Sequence, residues 1–226
     1  MKKIIFSLIA IIFIAGVCGC GIKSDSSKFK EEYESLNGQI NEKNSKTYPE
    51  VIVGEDNPFV YSNADEIISL LSDKKTGVVY LGYNTCPWCR NIIAPLQASA
   101  KENNIGKIYY MDLKNERDQK GIDSEGNVIT IKEGSEAYKK LLVAFDEYLD
   151  DYNLTHDGKT VPTNEKRIYV PLVIFIKEGE VVGYHCDTIS SQKDPYVLLD
   201  EDGFNELKGI YNNYMEKLIT CEEGGC

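Results

Sequence analysis

Histidine is nearly missing from this sequence: two occur among 226 residues, alongside one tryptophan and three methionines. Neither His156 nor His185 has a convincing partner near it in the chain, so histidine-based acid–base chemistry has little to stand on. Basic clusters are missing too. The formal net charge is −11, and no run of Lys and Arg is present to follow a phosphate backbone, which excludes nucleic acid as a partner. No internal repeat is evident. An almost uninterrupted apolar run does exist, from Ile4 to Val17, but it is too short to span a bilayer comfortably.

That run follows Met1-Lys2-Lys3, and a positive start ahead of an apolar stretch of this length marks a signal peptide over residues 1–19. It closes on Val17-Cys18-Gly19-Cys20. A small residue just before a cysteine at this point resembles the lipobox of bacterial lipoproteins. The resemblance implies cleavage ahead of Cys20, a diacylglyceryl group on its thiol, and a place on the extracytoplasmic side of the cell membrane. An ordinary secretory signal and an uncleaved anchor are the alternatives, and each of them also exports the rest of the chain.

Seven cysteines suit an exported protein better than a cytosolic one of this size. Setting aside Cys18 and Cys20 leaves Cys86 with Cys89, Cys221 with Cys226, and an odd Cys186. Residues 20–48 are polar and read as a tether with one short helical stretch near Phe29 to Leu36. Ordered chain begins with Val51-Ile52-Val53. Phe59-Val60-Tyr61 reads as a strand, and Ser62-Asn63 caps a helix carrying Ile67, Ile68, Leu70 and Leu71. Val78 to Tyr83 is a buried strand by its β-branched and aromatic content. Ile92, Ile93, Leu96 and Ala100 then recur at helical spacing, and a strand follows from Lys107 to Met111. A short strand is expected at Val128 to Ile131, a helix over 136–150, and a loop around Asp157-Gly158. Ile168 to Ile176 and Val181 to Cys186 form a hairpin, and a last helix carries Phe204, Leu207, Tyr211 and Leu218.

Cys86-Pro87-Trp88-Cys89 lies where a buried strand hands over to a helix. There the unpaired N–H groups and the helix dipole stabilise a thiolate on the first cysteine. Pro87 suits the first helical turn because its missing N–H would have had no partner. Cys89, one turn on, is placed to resolve a mixed disulfide on Cys86. A zinc site drawing on His185, Cys186, Cys221 and Cys226, or an inert disulfide, would also use such a pair. Pro and Trp between the cysteines and the strand-to-helix setting favour redox chemistry.

The order strand, Cys-Pro-Trp-Cys, helix, strand, helix, then Val170-Pro171 opening a hairpin and a last helix resembles the thioredoxin superfamily. With the lipobox, it is similar to the thioredoxin-like proteins of Gram-positive bacteria, some labelled bacteriocin transport accessory proteins. The resemblance implies an α/β thioredoxin-like fold over residues 49–220, with a central mixed sheet flanked by helices. An insertion at about 113–167 separates the third strand from the cis-proline hairpin, and 221–226 form a Cys-containing tail. It implies an exported thiol–disulfide oxidoreductase in which Cys86 and Cys89 are catalytic, while Trp88, Val170 and Pro171 bind substrate. No cofactor or metal is implied. The partners would be cysteine-containing exported proteins, a redox-recycling protein and the membrane, with the chain a monomer. Cys221 and Cys226 would close a second disulfide. Tyr80 stands where thioredoxin carries a buried carboxylate, so proton handling must differ. The rival reading is a non-catalytic binding or transport-accessory lipoprotein on the same scaffold, with the cysteine pair as a permanent staple.

Overall fold

The computed structural model describes residues 23–220. They open on α1 (Asp25–Glu34), capped by the Ser24 hydroxyl, which accepts from the Ser27 N–H. Two short strands, β1 (Ile40–Asn41) and β2 (Lys46–Thr47), pair antiparallel. After β3 (Phe59–Tyr61) comes α2 (Ala64–Ser72), started by a capping box between Asn63 and Glu66. β4 (Gly77–Gly82), α3 (Pro87–Glu102) and β5 (Ile108–Asp112) follow. Next stand a hairpin of β6 (Gln119–Ile122) and β7 (Val128–Lys132), then α4 (Glu136–Ala144), then a hairpin of β8 (Asp150–His156) and β9 (Lys159–Arg167). β10 (Leu172–Lys177), β11 (Glu180–Cys186) and α5 (Glu201–Ile219) complete the described chain.

The main sheet has the order β11-β10-β4-β5-β3. β3, β4 and β5 run parallel through helical crossovers, whereas β10 and β11 are antiparallel additions. This βαβαβ unit followed by a ββα unit is a thioredoxin-like fold: a central mixed sheet flanked by helices. Coverage on both faces explains the unbroken apolar runs, since Val78 to Leu81 and Val173 to Ile176 are all fully buried. On one face Phe29, Ile92, Leu96, Leu207 and Tyr211 meet Val78, Tyr80, Val173 and Phe175. On the other, Ile67, Leu70, Tyr138 and Leu141 meet Val79, Leu81, Ile174 and Ile176. Each fully buried aliphatic side chain contributes roughly 1.5–3 kcal/mol.

Three expectations need correction. The polar stretch read as a tether is packed structure from Ser24 onward: Phe29 and Tyr33, one helical turn apart on α1, are fully buried against the sheet. Val51 and Val53, expected to begin the ordered part, are buried but follow chain that is already packed. The helix expected to reach residue 150 stops at Ala144, and a 3₁₀ turn over Asp146–Tyr148 hands the chain to β8. The loop around Asp157-Gly158 is the turn of the β8–β9 hairpin. Both turn residues have positive φ, +48° and +73°, the geometry that an Asp-Gly pair favours in a two-residue hairpin. The insertion is therefore two hairpins on either side of α4. Cys18, Cys20, Cys221 and Cys226 lie outside the described residues.

Candidate active site

Cys86 is the N-cap of α3, with extended backbone, and its sulfur accepts from the Cys89 N–H at 3.5 Å. Pro87 occupies the first turn, as its missing N–H permits. The cap sets the two sulfurs apart chemically. Cys86 keeps 7% exposure, whereas Cys89 is fully buried beneath it. A hydrogen bond from the Cys89 thiol holds the Cys86 thiol below its usual range in spite of burial, helped by the backbone N–H groups of Cys89 and Trp88 and by the charge of Arg117. Burial drives the Cys89 thiol well above its usual range, and the neighbouring Cys86 sulfur adds to the rise. One sulfur is thus prepared to act as a nucleophile and the other is kept protonated.

The Val170–Pro171 peptide bond is cis and lies opposite the pair, with the Cys86 thiol donating to the Val170 carbonyl at 3.8 Å. Trp88 and Val170 are half-buried against the core. Cys86, Pro87, Trp88, Cys89, Val170 and Pro171 therefore form one site, assembled from the start of α3 and the start of β10. Cys186 lies across from Leu172 on β11 and donates to the Tyr169 carbonyl at 3.8 Å. Burial pushes its thiol up to about 12, which disfavours the nucleophilic thiolate. His185 is engaged with the Thr188 carbonyl at 2.6 Å.

Beneath Cys89 stands Tyr80, fully buried, whose hydroxyl opposes the rise of the Cys89 pKa and lies 2.7 Å from the Tyr33 hydroxyl. Its ring lies along the strand over Gly82. A Cβ at residue 82 would come within 2.4 Å of the Tyr80 hydroxyl, so glycine makes room for the ring. Register places Val173, Tyr80, Tyr110 and Tyr61 side by side across β10, β4, β5 and β3. The Tyr61 and Tyr110 hydroxyls both donate to the Glu32 carboxylate of α1. A seam of tyrosines and one half-buried glutamate thus fills the space under the cysteine pair.

Arg90, the residue after Cys89, is 1% exposed. Its guanidinium donates to the carbonyls of Pro49 and Tyr33, each at 2.8 Å, and to the Asn37 side chain at 2.6 Å. Those partners hold the segment of 33–49 against α3. The sequence singled out neither Arg90 nor Tyr33, because their roles depend on a segment read as a tether. Tyr80 was marked only as a departure from the expected carboxylate.

No protein-family model matches the chain, and no curated protein matches it either. Among solved structures, thioredoxin O2 from Arabidopsis thaliana in its oxidised state is similar at 16% identity. The alignment covers 73% of this chain and 96% of that one, with a TM-score of 0.36. A likeness of that degree decides nothing about activity, and the fold stands on the strand order described above.

Proposed function

We propose that this protein is an exported, membrane-anchored thiol–disulfide oxidoreductase acting on cysteine-containing extracytoplasmic proteins. The observation that carries the reading is the unequal pair: Cys86 at the N-terminus of α3 with a lowered pKa, and Cys89 buried below it with a raised one.

In the reductive direction, the Cys86 thiolate attacks one sulfur of a substrate disulfide. The second substrate sulfur leaves as a thiolate and takes up a proton. Cys89 then loses its proton and attacks the Cys86 sulfur. This closes the Cys86–Cys89 disulfide and releases the other substrate sulfur, which is protonated in turn. The substrate gains two electrons and two protons, and a recycling dithiol partner restores the pair. The reverse sequence would transfer a disulfide to the substrate. Val170 and Pro171 present the substrate backbone to Cys86, with Trp88 beside it. The lipobox at Cys20 supports anchoring by acyl chains, which bury methylenes in the bilayer.

The test is the reduction potential of the Cys86–Cys89 pair, equilibrated against glutathione and dithiothreitol buffers, with insulin reduction measured alongside. A value near about −270 mV with turnover identifies a reductase, and one near about −120 mV a disulfide donor. Changing Cys89 to Ala is expected to trap a mixed disulfide on Cys86. A pair that stays oxidised below roughly −300 mV and turns nothing over would leave a binding lipoprotein in its place.

A further inference from the structure

Beside the cysteine pair lies a cavity of about 550 Å³, to whose lining the redox site owes only the charge of Arg117. Tyr83 and Thr85, on the loop leading into Cys86, form one wall. The others come from outside the thioredoxin-like core: the β1–β2 turn, the chain after β5, and the two inserted hairpins. These elements bring six cations together, Lys43, Lys114, Arg117, Lys120, Lys132 and Arg167, against a single acidic lining residue, Asp118. In sequence they are scattered over more than a hundred positions, which is why no basic cluster is legible there.

Such a concentration of positive charge is unexpected in a chain of net charge −11. Part of it is balanced. Lys120 pairs with Glu165 at 2.7 Å, and Arg167 approaches Asp118 at 3.5 Å. Lys43, Lys114, Arg117 and Lys132 form no ion pair among the described residues. Arg117 donates through one Nη to the Tyr83 hydroxyl at 2.7 Å, while its buried Nε has no partner. The guanidinium planes are held in advance, Arg117 5.1 Å from the centre of the Tyr83 ring and Arg167 3.9 Å from that of Tyr152. Gathered cations with an unused donor repel one another until an anion supplies the missing countercharge, and a planar guanidinium fixed by an aromatic ring suits a carboxylate.

We infer that this cavity receives the carboxylate side chains of the protein segment that carries the substrate disulfide, so that acidic substrates are preferred. The inference rests on the redox reading above and adds a substrate class to it. A polar, charged lining suits Asp and Glu side chains rather than an apolar ligand. Because Thr85, the residue before Cys86, lines the cavity, those side chains would flank the cysteine that Cys86 attacks.

The experiment uses purified full-length protein and two labelled, cysteine-free peptides, one alternating Glu and Ser, the other alternating Gln and Ser, with binding read by fluorescence anisotropy. The Glu peptide is expected to bind about tenfold more tightly at low salt, the difference fading at about 0.5 M salt. Lys43→Glu combined with Lys132→Glu, two exposed positions, should remove the preference, and Arg117→Gln should weaken it. Lys75→Gln, away from the cavity, should leave it intact. Equal binding of the two peptides, or a preference that survives the double charge reversal, overturns the inference. So does binding of oxidised glutathione without discrimination between the peptides. Because the probes carry no cysteine, the outcome separates from that of insulin reduction run in parallel. Turnover without peptide discrimination sinks the acidic-substrate inference alone, and discrimination without turnover sinks the redox reading while the anion site stands.

Discussion

Tyr80 and Tyr33 share a hydrogen bond in a space closed to water, so removing one hydroxyl strands the other. Tyr80→Phe is expected to cost about 1–3 kcal/mol of stability, read from the urea midpoint, because a buried polar group loses its partner. The double change Tyr33→Phe and Tyr80→Phe should cost less than the sum of the singles, since neither hydroxyl is then left without the other, although the Tyr80 contact to the Cys89 thiol is still lost. A double cost equal to the sum of the singles would refute the pairing. Gly82→Ala should displace the Tyr80 ring and disturb the same spot. The lowered Cys86 pKa has its own signature. Its thiolate persists as pH falls below the usual thiol range, so iodoacetamide should still label Cys86 there while Cys89 resists. Labelling of both cysteines with one ordinary thiol titration would contradict the asymmetry. Cys86 and Cys89 were legible from the motif, because helix-start chemistry is local. Tyr33 and Glu32 were not, because their partners sit dozens of residues away.

Among the elements, α1 changes the reading most. Arg90 is held by neutral acceptors and has no carboxylate partner at its buried guanidinium, so the interaction binds α3 to the chain before residue 50. Arg90→Met is expected to lower stability by about 2–4 kcal/mol, since several carbonyls lose a charged donor at once. Limited proteolysis should then cut first within 35–50, and cleavage beginning in the inserted hairpins would show that the coupling lies elsewhere. β4 and β10 were readable because their burial is nearly complete, and α3 and α5 because their apolar residues recur at helical spacing. For α1 a helical stretch near Phe29 to Leu36 was expected but its packing on the sheet was not, because only Phe29 and Tyr33 mark its inner face amid charged neighbours. The β8–β9 hairpin was missed although Asp157-Gly158 announces it. Its flanking residues are mostly exposed, so hydrophobic alternation there is faint.

For the molecule as a whole, the strand order follows from the succession of motifs in the chain, whereas the gathering of cations beside Cys86 depends on how the added segments fold back. No helix of the described residues is long and apolar enough to cross a membrane. The proposed lipid anchor is testable at Cys20: Cys20→Ser is expected to move the protein from the membrane fraction to the soluble one. Unchanged fractionation would refute lipid attachment at that residue.

Packed structure at Ser24 has a geometric consequence for a Cys20 that is acylated as proposed. Four peptide links separate the two residues, and a fully stretched chain of that length spans only on the order of 15 Å. The leash is that short because residues once assigned to it are spent inside the domain. If the proposed acylation holds, the protein would patrol a thin layer above the lipid headgroups, meeting others as they emerge from the bilayer or diffuse along it, and its encounters would be a search in two dimensions rather than three.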